Sequence, residues 1–199
     1  MKKYRLLLLS LLLLLVSFAV AWCNDPLFNA LFLFMIPIYL LLFVCFIVLA
    51  VESIKGLVKH RETPCLASLA VLLLLVVLIA RFPFREAKAK TELALFEVKR
   101  REVVDMIRTD RLQPKDELGN IVLPVGYRWL STSGEVFQYQ NDEAGQVIGF
   151  WVFRGMLSGS VELIYSSGGE ELIRAHEERI GPITRMEELK DCWFYIETD

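Results

Sequence analysis

Histidine is scarce in this chain of 199 residues, and no cysteine pair has the spacing of a metal site. The chain has 2 histidines and 4 cysteines, the latter at Cys23, Cys45, Cys65 and Cys192, without a CxxC pair. The segment His176-Glu177-Glu178-Arg179-Ile180 begins like a zincin helix, but isoleucine stands where the second histidine is required. These absences exclude a histidine-rich metal site, and we predict no cofactor.

Catalytic motifs are lacking as well. Gly155-Met156-Leu157-Ser158-Gly159 is neither a phosphate-binding loop nor a Gly-x-Ser-x-Gly nucleophile elbow. Glu162 lies in a predicted strand as a lone carboxylate, and no acid–base partner is identifiable for it. An acidic cluster lacks the alternating pattern of a calcium loop, so a solvated acidic face is favoured over a cation site for Glu170, Glu171, Glu177, Glu178, Glu187, Glu188 and Asp191.

Positive charge is in short supply in the C-terminal part of the chain. Residues 111–199 carry 8 basic and 15 acidic side chains, which gives this part a net charge of −7. Such a domain would repel phosphates, so nucleic acid is excluded as a partner. A cationic protein partner is compatible with the charge, although an acidic surface also simply favours solubility.

Charged residues are absent from three apolar runs, which are Leu6 to Trp22, Leu27 to Val51 and Thr63 to Ala80. About 20 apolar residues are needed to cross a hydrocarbon core. We therefore predict a transmembrane region over residues 1–82, with spans at about 6–22, 27–51 and 64–81. Few polar side chains interrupt the spans, and this favours a lipid-embedded anchor over a transport pathway. These side chains are Ser10, Ser17, Asn29, Tyr39 and Ser68.

Basic residues flanking the spans predict the orientation in the cell membrane. An N-terminus in the cytoplasm places six basic residues there, namely Lys2, Lys3, Arg5, Lys55, Lys59 and Arg61. Four basic residues follow the third span, and a count extended to residues 99–101 gives seven, which would favour the opposite orientation. We choose the cytoplasmic N-terminus because the basic first flank usually sets the orientation. The C-terminal domain is then outside, in the periplasm or the extracellular space. Ala19-Val20-Ala21 also fits a signal-peptidase site, and cleavage after it would leave this final placement unchanged. A disulfide between Cys23 and Cys192, which would share one side, is left open.

Residues 83–112 are predicted to form an amphipathic helix after the membrane region. Its apolar stripe is interrupted at Arg100, where another apolar residue is expected, and comprises Ala89, Leu93, Phe96, Val103 and Ile107. Such a stripe suits either a self-associating coiled coil or a helix packed on the following sheet. The interruption favours packing on the sheet.

Residues 113–199 are predicted to form a small antiparallel β meander of about four to five strands, which with the helix makes an α+β domain. The central strand is predicted to be Gln146 to Arg154, because apolar residues point to both of its faces. Both faces should therefore be covered by other parts of the domain. The other predicted strands lie within Ile121–Leu130, Glu135–Gln140, Ser160–Ser166 and Cys192–Thr198.

Aromatic side chains are dense in this domain, and one sheet face cannot bury all of them. They suggest a candidate interaction surface formed by Trp129, Tyr139, Trp151, Phe153, Trp193 and Tyr195. Coverage of both faces by the helix and by a loop or the membrane surface is the alternative.

We favour a membrane-anchored, non-enzymatic module that binds an unidentified protein at the cell envelope, in assembly, secretion or neutralisation of a partner. An envelope-acting enzyme that uses carboxylates of the domain, a structural subunit of a membrane complex and a homo-oligomer are the alternatives.

Overall fold

The computed structural model describes residues 4–60, 63–142, 145–154 and 159–199. The chain divides into two compact units, Met1–Phe84 and Arg85–Asp199. The first is built of helices alone over its described residues, and the second contains the sheet.

The N-terminal unit consists of three apolar helices, α1 (Arg5–Trp22), α2 (Asn24–His60) and α3 (Thr63–Arg81). Each contains a stretch long and apolar enough to cross a membrane, namely Arg5–Trp22, Met35–Lys59 and Thr63–Arg81. The prediction of three long apolar helices near the N-terminus is confirmed. The second helix continues beyond the predicted span to His60, because no proline interrupts this segment and Glu52, Lys55 and Leu57 favour a helix.

Three buried serines connect these helices at one level. The Ser68 hydroxyl of α3 lies 2.6 Å from the Ser10 hydroxyl of α1 and 2.8 Å from the Ser53 hydroxyl of α2. All three side chains are fully buried. Their hydroxyls therefore satisfy one another, which is how polar groups stabilise helix contacts in apolar surroundings.

The C-terminal unit is an antiparallel sheet of six strands with helices. Helix α4 (Phe84–Arg108) leads into it, and the shorter helices are α5 (Gly169–Arg174) and α6 (Glu177–Ile180). The strands lie in the order β1-β2-β3-β4-β6-β5 and are all antiparallel to their neighbours. Their bounds are Asn120–Val122 (β1), Glu135–Asp142 (β2), Gly145–Arg154 (β3), Ser160–Ser166 (β4), Ile183–Lys190 (β5) and Trp193–Thr198 (β6).

The predicted number of strands was too low, and the meander is interrupted. The additional strand, β5, lies in the acidic stretch, where charged residues alternate with partly buried ones on an edge of the sheet. Helices α5 and α6 separate β4 from β5, so β6 pairs with β4 and β5 pairs only with β6. The predicted strand Ile121–Leu130 is also shorter, because the chain leaves β1 before Pro124 and forms a 3-10 helix over Val125–Leu130.

Strand β3 is central and buried on both faces, as its sequence predicted. One face forms a core with α4, in which Leu93, Val103 and Ile107 join Phe150 and Trp193. The other face packs against the short helices in a second core that includes Val147, Ile164, Ile173 and Ile180. The apolar stripe of α4 is therefore occupied by the sheet and is not available for a coiled coil.

Arg100 explains the interruption of that stripe. Its side chain is buried beneath α4, where it donates to the Glu92 carboxylate at 3.0 Å and to the Leu130 carbonyl at 3.1 Å. The guanidinium also lies 5.8 Å from the centroid of the Phe150 ring. Burial lowers the pKa of Arg100, and the charge of Glu92 opposes that shift. Arg100 thus joins α4, the 3-10 helix and the core.

Replacing Arg100 with alanine should lower the free energy of unfolding by about 2 to 3 kcal/mol, because the Leu130 carbonyl loses a charged donor and the half-buried Glu92 loses its ion-pair partner. The measurement is urea unfolding of the full chain in detergent, followed by tryptophan fluorescence of the C-terminal unit after a Trp22→Phe replacement. Arg101→Ala is the matched control, since Arg101 forms an exposed ion pair with Glu97. That pair should contribute only about 0.5 kcal/mol. Equal losses of stability in the two variants would contradict the role of Arg100 in joining α4 to the 3-10 helix.

Candidate functional site

Most of the predicted interaction surface lies in the core. Tyr139, Phe153, Trp193 and Tyr195 are buried, and Trp151 is partly buried. Trp129 alone among the six is exposed, at 53%. Because helices cover both faces of the sheet, a continuous surface made of all six residues is not present, and this part of the expectation is corrected.

Trp129 belongs to a smaller exposed surface, which we name the Trp129 patch and define as Phe96, Val125 and Trp129. The Trp129 ring packs edge-on against the partly buried Phe96 ring of α4, with centroids 4.6 Å apart. Val125, on the same 3-10 helix as Trp129, is 80% exposed. The patch therefore combines a large aromatic surface with an aliphatic side chain open to solvent.

Two contacts fix the 3-10 helix that carries Trp129. The Tyr127 hydroxyl donates to the Glu102 carboxylate of α4 at 2.8 Å, and the Leu130 carbonyl accepts from Arg100. The Trp129 indole N–H is itself satisfied by the Gly126 carbonyl at 2.8 Å. Held on both sides, Trp129 loses little conformational entropy when it binds, and such preorganised aromatics are typical of interface hot spots.

Glu162, the predicted lone carboxylate, has a partner in the structure. The Tyr139 hydroxyl donates to its carboxyl group, at 2.9 Å from Oε2 and 3.1 Å from Oε1. Both side chains are buried. Gly149 of β3 lies between their strands, and a Cβ there would collide with the Glu162 carboxyl group and come within 2.9 Å of the Tyr139 ring. A glycine within the bulky strand β3 was the sequence signal for this pair.

Burial dominates the electrostatics of this pair. It raises the pKa of Glu162 to about 8, although the hydrogen bond from Tyr139 and the charge of Arg154 oppose the shift. Burial and the nearby Glu162 also raise the pKa of Tyr139. A pKa of about 8 favours the protonated carboxyl group at neutral pH, which would make the hydrogen-bonded pair with Tyr139 uncharged.

A polar groove of about 500 Å³ has Tyr139 among its lining residues. Arg179 lines it and donates to the Tyr139 carbonyl at 2.5 Å and to the Leu118 carbonyl at 2.7 Å. His176 also lines it, with its Nε2 2.6 Å from the Gln140 side-chain oxygen. Glu162 is not among the lining residues. The groove thus does not expose the buried carboxyl group, and Arg179 ties α6 to strand β2.

The remaining candidates are distributed over the surface. Among the described residues, no three potential ligands lie close enough together to hold a metal ion. Within the acidic cluster, Glu170 pairs with Arg174 at 2.7 Å, and Glu187 pairs with both Lys90 and Arg185. Residues 155–158, including Ser158, lie outside the described residues. All four cysteines are free thiols in this structure.

Comparisons with known protein families, curated proteins and solved structures find no match for this chain. The arrangement of its own side chains is therefore the basis on which a role can be argued.

Glu162→Gln should remove a pH dependence of stability. In the wild type the folded state keeps a proton that the unfolded state releases above its ordinary pKa of about 4.3. The free energy of unfolding should therefore fall as pH rises from about 5 to 8, by up to about 1.4 kcal/mol per pH unit. Glutamine stays neutral, so the variant should lack this fall.

Urea unfolding of the full chain at pH 5, 6, 7 and 8 measures this difference. Glu188→Gln is the control, because Glu188 is an exposed glutamate on β5. It should retain the wild-type slope. An unchanged slope in Glu162→Gln would show that Glu162 is ionised in the folded protein.

Proposed function

We propose that this chain is a membrane-anchored, non-enzymatic interaction module. In this proposal α1, α2 and α3 form the anchor in the cell membrane, and the C-terminal unit binds a protein partner at the cell envelope. The anchor role is supported by the three long apolar helices and by their buried serines, which bond to one another. An ion or solute pathway would need polar groups that remain available to a passenger.

The orientation belongs to the proposal as well. The N-terminus is placed in the cytoplasm and the C-terminal unit outside it. The support is the distribution of basic residues around the helices, with Lys55 and Lys59 at the end of α2 adding to those at the N-terminus. The partner then meets the acidic unit in the periplasm or the extracellular space.

The observation that carries the binding role is the exposed Trp129. A half-exposed tryptophan that is fixed by its neighbours supplies a large apolar contact without a further ordering cost. The surrounding unit, Arg85–Asp199, carries 15 basic and 21 acidic side chains and therefore a net charge of −6, which favours a partner with a basic rim. We infer that an apolar pocket with basic surroundings on the partner receives the Trp129 patch.

An enzyme acting on envelope material is the second candidate, and the Tyr139–Glu162 pair is the observation that favours it. A raised pKa beside a fixed tyrosine is a feature of general acids. Its burial, however, leaves the carboxyl group without a described opening toward the groove. Loss of function in Glu162→Gln at unchanged stability would favour this candidate over the binding module.

Trp129→Ala should weaken partner binding by about 30-fold, which corresponds to a hot-spot contribution of about 2 kcal/mol. The measurement is photocrosslinking in intact membranes from a probe introduced at position 125, which is exposed on the same 3-10 helix. The crosslinked product should be lost in the variant when variant and wild type are expressed at the same level.

Leu118→Ala is the matched control, because Leu118 is also a large exposed apolar residue but lies outside the patch. It should leave the crosslink intact. A crosslink that survives in Trp129→Ala would rule out the Trp129 patch as the binding surface.

A further inference from the structure

Helix α4 has a second apolar surface, opposite the stripe that packs on the sheet. Leu95 is 67% exposed and Val98 is 71% exposed. They lie one turn apart, on the side of the helix away from Leu93 and Val103. Two adjacent exposed aliphatic residues at the middle of a long helix form a small apolar centre that no described residue covers.

The positions around this centre form a symmetric row along the helix. Starting at Lys88, the row continues with steps of three, four, three, four and three residues to Asp105. Because this order of steps is the same in both directions, the row can meet a second copy of itself running the opposite way. Its members are Lys88, Thr91, Leu95, Val98, Glu102 and Asp105.

The charges along the row select the antiparallel direction. In an antiparallel pair Lys88 of one copy faces Asp105 of the other, and Leu95 faces Val98 about the two-fold axis. In a parallel pair, Lys88 would face Lys88, and Asp105 would face Asp105. Opposite charges across an interface favour the first arrangement, and like charges disfavour the second.

The acidic end of the row is open to exchange of partners. Asp105 pairs with Arg108 of its own helix at 2.9 Å, and both side chains are largely exposed. Glu102 pairs with the exposed Lys99 at 2.8 Å and also keeps its hydrogen bond from Tyr127. Exposed pairs of this kind contribute little to stability, so an incoming lysine can join them at little cost.

We propose that a second copy of this chain docks on α4, with the two α4 helices antiparallel and Leu95 of each copy packed on Val98 of the other. The contact is short, but confinement of both copies to one membrane raises their effective concentration. A weak interface is then sufficient. This homodimer contact does not use the Trp129 patch, and its validity is independent of the proposed partner binding.

Charge reversal tests this proposal in the full-length protein reconstituted in liposomes. Dimerisation is measured by energy transfer between donor- and acceptor-labelled copies over a range of protein densities. Lys88→Glu and Asp105→Lys should each weaken dimerisation about tenfold, because each places like charges at both symmetric ends. The double variant K88E/D105K restores opposite charges and should recover dimerisation to within about twofold of the wild type.

Two further variants distinguish this contact from the Trp129 patch. Leu95→Glu should abolish the energy transfer while it preserves crosslinking from position 125, and Trp129→Ala should do the reverse. Urea unfolding followed by tryptophan fluorescence verifies that each variant is folded. A wild type that remains monomeric at all densities, or a double variant as weak as the single ones, overturns the proposal. A double variant as weak as the single ones would mean that Leu95 and Val98 contact lipid, or that the copies associate in a different arrangement.

Discussion

The buried guanidinium of Arg100 is the contact on which the C-terminal unit depends. It crosses from α4 to the 3-10 helix and reaches the carbonyl of Leu130 beneath the helix. Together with the apolar core, this contact holds the inner face of α4 against the rest of the unit, while Leu95 and Val98 on its outer face are exposed. The same contact holds the end of the 3-10 helix, so it also positions Trp129. Both proposed binding surfaces therefore rest on one charged residue in an apolar row.

Five buried polar side chains of the described residues hydrogen-bond to one another in two groups. Ser10, Ser53 and Ser68 satisfy one another among the apolar helices, and Tyr139 satisfies Glu162 beside the central strand. A buried polar group without a partner costs free energy, so such pairing stabilises the fold. The proposed interactions use exposed side chains instead.

The partner of Glu162 cannot be found from the sequence. The sequence shows Glu162 as a lone carboxylate in a strand and places Tyr139 among the candidate surface aromatics. The contact between them depends on the register of β2 and β4 on either side of β3, and on the missing side chain of Gly149. Likewise, aromatic density predicted an exposed surface, although α4 on one face and α5 with α6 on the other bury most of these rings.

Local patterns in the sequence determined the three apolar helices, the long helix α4 and the strands β2, β3, β4 and β6. These elements are set by hydrophobic period, by the absence of charge and by turn residues, all of which act over a few neighbouring residues. Only the tertiary structure decided the edge strand β5, the burial of Arg100, the pairing of Tyr139 with Glu162 and the isolation of Trp129 on the surface. Each of these depends on which distant segments meet, and a side chain is inside or outside only once its neighbours across the fold are in place.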